Sequence, residues 1–292
     1  MDGVIVVNKP VGRTSHDLVN FVRKLFNIKK VGHTGTLDPD AGGVLPVCIG
    51  KATKAADMLT ASNKAYRAQL VFGMTTDTQD ASGEILTEQP SCVKYADLEK
   101  IIGKFIGEIE QIPPMFSAIK KDGKKLYELA RAGVTIEREK RKVTIFGIDI
   151  LKVDEENQTA EIEVFCSKGT YIRTLCEDIG AALGCGAYMN TLLRIKSADF
   201  TLEKSHTPEE LLKMKEDGTL FDIVVPVDEL FPDYKKVFLD EFLTGKAKNG
   251  VPIRRKGLVD DALYRVYGFD GEFLCISRYW EGALKLKKAF WS

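Results

Sequence analysis

Metal-ligand spacing is missing throughout the 292 residues: the three histidines, His16, His33 and His206, stand apart, with no HExxH pair and no Cys/His cluster. Zinc-type chemistry therefore has no ligand set here. The six cysteines, Cys48, Cys92, Cys166, Cys176, Cys185 and Cys275, are scattered without a CxxC, which excludes a disulfide framework and points to small buried hydrophobes in a reducing compartment. Net charge is also lacking, since 42 basic residues balance 42 acidic ones, so the total indicates neither a nucleic acid nor a membrane partner. No apolar run approaches the roughly 20 residues of a bilayer crossing, and Asp2 stands where a signal peptide carries basic charge. The expectation is a cytoplasmic protein. A phosphate loop is absent too: six residues separate Gly43 from Gly50-Lys51, and Ala52 replaces the metal-binding Ser or Thr. There is no nucleophile elbow for Ser-His-Asp catalysis and no internal repeat.

What is present is a globular chain, 44% hydrophobic. Gly3 to Asn8 reads as a buried strand ending at Lys9-Pro10. Thr14 or Ser15 then caps a helix to about Phe26, with Leu18, Val22, Leu25 and Phe26 on its apolar face. Val44 to Ile49 and Tyr66 to Phe72 read as strands, and Lys51 to Leu59 as a helix. From Val143 to Cys166 the pattern is a long hairpin turning near residues 154–157, and its parity switch at Gly147 predicts a bulge. Ile172 to Leu183 is helical, Leu192 to Phe200 a further strand, and Thr207-Pro208-Glu209-Glu210 a capping box. Recurrent hairpins favour an α+β fold, a mixed, largely antiparallel sheet flanked by helices, over a doubly wound parallel one. Two prolines and an acidic cluster between Val225 and Pro232 suggest a boundary.

Three features carry possible chemistry. GHTGTLDPDAGGVLPVCIG, Gly32 to Gly50, surrounds Asp38-Pro39 with glycine, which suits a surface turn as well as a close approach of backbone or ligand. CSKGTYIRTLCEDIG, Cys166 to Gly180, places Tyr171 and Arg173 at a helix start, where the helix dipole disfavours a cation unless an anion holds it. Basic residues gather around Tyr127 (Lys120, Lys121, Lys124, Lys125, Arg131), from Arg138 to Lys142 including Arg141, and among Lys246, Lys248, Arg254, Arg255 and Lys256. Each cluster fits a solvated face, and together they also fit a nucleic-acid backbone.

NKPVGRTS (Asn8 to Ser15), the Gly32 to Gly50 stretch, KAYRA (Lys64 to Ala68), QIPPMFSAIKKDGKKLYELARAG (Gln111 to Gly133) and CSKGTYIRTLCEDIG occur in the order seen in the tRNA pseudouridine-55 synthases of TruB type. The chain resembles that family over essentially its first two hundred residues. The resemblance implies the pseudouridine synthase fold, with a catalytic domain over residues 1–230, an RNA-binding thumb at 117–142 that is mobile without RNA, and a small β-rich PUA-like RNA-binding domain at 231–292. It implies isomerisation of one uridine in the tRNA T-loop: base flipping, opening of the glycosidic bond, and rejoining through C5. It further implies no metal or organic cofactor, the tRNA T-arm as partner, no membrane, and a monomer without an obligate protein partner. Asp38 matches the essential aspartate, Tyr66 a tyrosine stacking on the base, and Tyr171 and Arg173 the other members of the catalytic centre. His33 matches a histidine touching the T-loop, Leu192 an apolar residue of the base pocket, and Lys9 and Pro10 a supporting motif. The thumb cations Lys120, Lys121, Lys124, Lys125 and Arg131, with Arg141, fall to RNA binding. The chemistry agrees: a carboxylate captures or stabilises the cation-like sugar, a guanidinium aims it, and no second carboxylic acid is evident or needed. A catalytically silent tRNA-binding protein, or a synthase acting on another RNA, would share the scaffold.

Overall fold

A computed structural model describes residues 2–117, 119–121 and 123–291; positions 118 and 122 of the basic segment lie outside the described residues. Eight strands make up most of a mixed sheet: β1 (Gly3–Lys9), β2 (Val31–His33), β3 (Ala41–Ile49), β4 (Lys64–Phe72), β5 (Gly107–Gln111), β6 (Arg141–Asp154), β7 (Thr159–Cys166) and β8 (Ala187–Ser197). Their order is β1-β3-β8-β4-β7-β6-β5, with β2 on the free part of β3 and Val225–Pro226 on the outer edge of β1. Every pairing in this run is antiparallel except β8 with β3, where Leu192, Leu193 and Arg194 lie opposite Ala41, Gly42 and Gly43. The sheet is thus the mixed, largely antiparallel one expected.

Local signals explain the flanking helices. Helix α1 (Ser15–Phe26) opens on Thr14, whose hydroxyl accepts from the Asp17 amide while the Asp17 carboxylate accepts from the Thr14 amide. That reciprocal cap and the buried Leu18, Val22, Leu25 and Phe26 bind it against β1 and β3. Helix α2 (Ile172–Leu183) has the bounds read from the sequence and packs Ile172, Leu175, Cys176 and Ile179 onto β4, β7 and β8. The β6–β7 hairpin turns after Asp154 and shifts register between Ile145 and Gly147, the place of the parity switch.

Three readings need correction. β3 begins at Ala41, not Val44, because Gly42 and Gly43 are strand residues. Gly43 (φ +99°) lies so close to β8 that a Cβ would stand 2.3 Å from the Arg194 carbonyl oxygen. Glycine density there serves close approach, not a loop. Residues 50–60 form a 3₁₀ turn, Gly50–Ala55, running into a short α-helix, Ala56–Thr60, and the Thr53 hydroxyl donates to the Gly50 carbonyl at 2.7 Å. The last long strand starts at Ala187, five residues early, and is broken at Ala198 (φ 53°) before Phe200–Thr201.

A five-stranded sheet follows, in the order Lys235–Phe238, Leu263–Tyr267, Phe273–Trp280, Ala283–Ala289, Ile253–Arg254. It packs against the first sheet: Ile276 and Phe290 share a core with Val4, Val44, Phe200 and Leu230.

Candidate active site

The loop between β2 and β3 carries Asp38 and is held from three sides. The Ser15 hydroxyl accepts from the Leu37 amide at 2.9 Å and donates to the Leu37 carbonyl at 3.0 Å. The Gly12 amide donates to the Pro39 carbonyl, and the Ala41 amide to the Asp38 carbonyl. From below, the Lys9 ammonium donates to the carbonyls of Pro10, Pro39 and Ala41 at 3.0, 3.1 and 2.6 Å. Lys9 is 1% exposed, and burial pushes its pKa down to about 8, against the pull of Asp40 and Asp38. Lys9 and Pro10 therefore buttress the loop and line neither of the two cavities beside it.

Arg173, in the first turn of α2, is 6% exposed and holds two carboxylates: Nη2 lies 3.0 Å from Asp38 Oδ2 and Nη1 3.1 Å from Asp80 Oδ2. The same two nitrogens also donate to backbone, Nη1 to the Thr78 carbonyl and Nη2 to the Phe116 carbonyl. The cation at a helix start thus has the partner anion its position called for, and a second besides. Asp80 corrects the reading that no second carboxylate is evident. Its Oδ1 accepts from the Thr78 hydroxyl, the Ser82 amide and the Ser82 hydroxyl, so it is fixed as a clamp on Arg173. The two acids differ in access: the Asp38 side chain is 46% exposed and that of Asp80 15%. Of the two, Asp38 lines the cavity that also holds Tyr66 and Tyr171, and Asp80 does not.

A cavity of about 550 Å³ opens in front of this pair and brings together Asp38, Tyr66, Tyr171, Arg173 and Leu192, with Arg141 at its edge. Tyr66 on β4 and Leu192 on β8 come from paired strands, while the backbone of Tyr171 is pinned by Gln111, whose amide accepts from its N–H at 3.0 Å and donates to its carbonyl at 3.1 Å. Burial raises both phenols above their ordinary range. Two buried cations, Lys64 and Arg194, complete the floor.

His33 is not in that cavity. It lines a neighbouring one of about 720 Å³, together with His16, Asp80, Lys125, Tyr127 and Arg131, and the two cavities share the wall made by Asp38 and Arg173. Burial first, then the charges of Arg194 and His16, hold His33 below its usual pKa, and its Nδ1 accepts from the Gly35 amide at 3.3 Å. Lys125 and Arg131 flank the Tyr127 ring at 5.3 and 5.4 Å. Lys120 and Lys121 line a smaller recess on the far side with Arg141, and Lys124 is exposed and lines none of these spaces. Sequence reading missed Asp80, Gln111, Lys64 and Arg194 as site residues. For Arg194 no local signal existed: strand parity groups it with Lys196, opposite Leu193 and Ile195, as if it faced solvent.

Among the described residues no group of His, Cys, Asp and Glu could hold a metal ion, and no helix is long and apolar enough to cross a membrane. Comparison with known proteins gives the family. Residues 23–172 match the model of the TruB family pseudouridylate synthase N-terminal domain, and residues 173–232 that of the tRNA pseudouridylate synthase B C-terminal domain. A tRNA pseudouridine synthase B of Alkaliphilus oremlandii (strain OhILAs) is 48% identical over 260 residues, covering 89% of this chain and 85% of its own length. One of Clostridium kluyveri is 42% identical over 99% of this chain and 100% of its own. Among solved structures, a chain of a Cbf5-Nop10-Gar1 complex superposes with TM-score 0.75 at 27% identity, over 99% of this chain and 85% of that one. The chain belongs to the TruB family of pseudouridylate synthases.

Proposed function

We propose that the protein converts uridine 55 in the T-loop of tRNA to pseudouridine, with Asp38 as nucleophile. The observation that carries this reading is the ion pair of Asp38 with the buried Arg173 at the open face of a cavity that also holds Tyr66, Tyr171 and Leu192. The relatives named tRNA pseudouridine synthase B supply the substrate class.

The target base is inaccessible in a folded T-loop and is flipped out at a cost of a few kcal/mol. Arg173 fixes the Asp38 carboxylate for attack on C1′. The N1–C1′ bond opens, its electron pair leaves with the uracil as an anion, and a C1′–O bond to Asp38 forms. The ring, held between Tyr66 and Leu192, turns and joins C1′ through C5 as Asp38 departs. One proton then moves from C5 to N1. Tyr171 relays it, its phenol giving a proton to N1 and its oxygen receiving the one from C5. Atoms and electrons balance without an oxidant, a reductant or a co-substrate. His33 fills the space left by the extruded nucleotide. Residues 117–142 close on the T-arm through Lys120, Lys121, Lys124, Lys125 and Arg131, the C-terminal sheet acts as a PUA-type RNA-binding domain, and the enzyme works as a monomer.

The test is tritium release from C5-labelled uridine in a T-arm stem-loop. Wild type is expected to release label, and Asp38→Asn to lose turnover by on the order of 10⁴-fold or more while still binding RNA. Binding without release by wild type would instead mark a silent tRNA-binding protein. Full turnover by Tyr171→Phe would remove Tyr171 from the relay.

A further inference from the structure

Buried charges in folded proteins are ordinarily met by opposite charges. On the floor of the catalytic cavity two are not: among the described residues, neither Lys64, 5% exposed, nor Arg194, 1% exposed, has a carboxylate within ion-pair distance. The Lys64 ammonium closes the turn before β4, two of its three N–H groups donating to the Thr60 and Ser62 carbonyls at 2.6 Å each. Arg194 differs. Pairing of β3 with β8 ends at Gly43 and pairing with β2 begins at Val47, which leaves a gap on that edge of β3. Arg194 fills it, with Nε donating to the Val44 carbonyl at 2.7 Å and Nη2 to the Gly35 carbonyl at 3.2 Å. Nη1 donates to no backbone carbonyl among the described residues, and the guanidinium also touches the Tyr66 phenol, whose pKa its charge and hydrogen bond pull down against the effect of burial. Nη1 lies 3.5 Å from the Cβ position of Gly35, a residue that itself lines the cavity.

We infer that Arg194 is a further catalytic residue, whose guanidinium, with Nη1 tied to no backbone carbonyl, receives the negative charge of the uracil as the N1–C1′ bond opens. This rests on the reaction proposed above. Position favours the base over a phosphate. Arg194 is the cross-strand partner of Tyr66 and shares a strand face with Leu192, so it stands among the groups that hold the ring. The cations suited to phosphates, Arg141, Lys142 and Lys168, are exposed at the rim. As the bond breaks, the electron pair passes to N1 and spreads to the ring oxygens, and a fixed cation in a dry site stabilises it without rearrangement. The charge of Arg194 also adds to the effect of burial in lowering the pKa of Lys64. Because Asp38 is matched by Arg173, the floor keeps its positive potential.

The experiment compares two T-arm stem-loops that do not react: one with pseudouridine at the target position, the other with the carbon-linked barbiturate nucleoside, which keeps the ring and the carbon link, carries one further ring oxygen and is anionic at neutral pH. Wild type is expected to bind the barbiturate stem-loop at least about tenfold tighter. Arg194→Met is expected to lose that preference and keep its affinity for the pseudouridine stem-loop within about threefold, since uniform binding is untouched. Equal affinities in wild type, or a preference that survives in Arg194→Met, overturn the inference. Should Arg194→Met fail to fold by its melting curve, Arg194→Gln, which can still donate to a backbone carbonyl, gives the same decision. A protein that releases no tritium from uridine sinks the proposed function itself, whereas an active one without the anion preference sinks only this role for Arg194.

Discussion

Two glycine-bearing segments overhang the same pair of cavities and are built on opposite principles. The Asp38 loop is tied by Ser15, Gly12, Lys9 and the backbone of β3 and β8, and the glycine behind it, Gly43, sits where no side chain fits. In the 117–142 segment, a ribbon of Lys120–Lys121 with Lys124–Lys125 leads into a six-residue helix, Leu126–Arg131, and little beyond Ser117 and Leu126 is buried. Added Cβ atoms at Gly123 and Gly133 would meet nothing within 4 Å. Glycine in the first case permits close packing, and in the second only a turn. The contrast separates two tasks: geometry at the reacting sugar must be fixed to fractions of an ångström, whereas grip on a phosphate backbone needs charge and reach.

The sharpest way to break that contrast is Gly43→Ala. At φ +99° and with the Arg194 carbonyl oxygen 2.3 Å from the new methyl, β3 and β8 must separate. The expected cost is about 3 kcal/mol or more in chemical denaturation, with turnover falling by on the order of 100-fold at saturating RNA. Gly133→Ala, which strains only a left-handed turn, should cost about 1 kcal/mol and leave kcat unchanged. Similar losses at the two glycines would remove the distinction.

The same contrast governs what could be read from the chain. Caps, hairpin parity and helix bounds are local, so α1, the bulge at Gly147 and α2 were legible, as was the demand of Arg173 for an anion. Asp80 reaches Arg173 across 93 positions, Gln111 holds Tyr171 across 60, and Arg194 meets Val44 across 150. No short-range pattern encodes those meetings, since each depends on which strands lie side by side. β3 was misjudged at its start for the same reason: its glycines make sense only beside β8.

A smaller effect, confined to binding, is expected from the other segment. Replacing Lys120, Lys121, Lys124 and Lys125 by Ala removes charges that hold no part of the Asp38 loop. KM for the T-arm stem-loop should rise roughly 10- to 100-fold with kcat within about threefold, and the slope of log affinity against log salt should flatten by about one unit for each phosphate that is no longer neutralised. A fall in kcat with KM preserved would mean that the segment helps to shape the reacting centre.

The smallest effect concerns the dry side alone. Cys48 lies fully buried in β3, and burial pushes its thiol from 9.0 up to about 12. A folded-state pKa above the unfolded one means that the native protein keeps a proton the unfolded chain gives up. The stabilisation is therefore complete below pH 9 and is lost as pH rises towards 12. Between about pH 9 and 11 this one group should remove about 1 kcal/mol of stability per pH unit, and Cys48→Ala should flatten the measured slope by that amount while costing a little stability at neutral pH. The sequence from 117 to 142 contains no cysteine, so the quadruple lysine variant should keep the wild-type alkaline slope. If both variants flattened it equally, the division between a dry, fixed floor and a wet, charged arm would lose its thermodynamic basis.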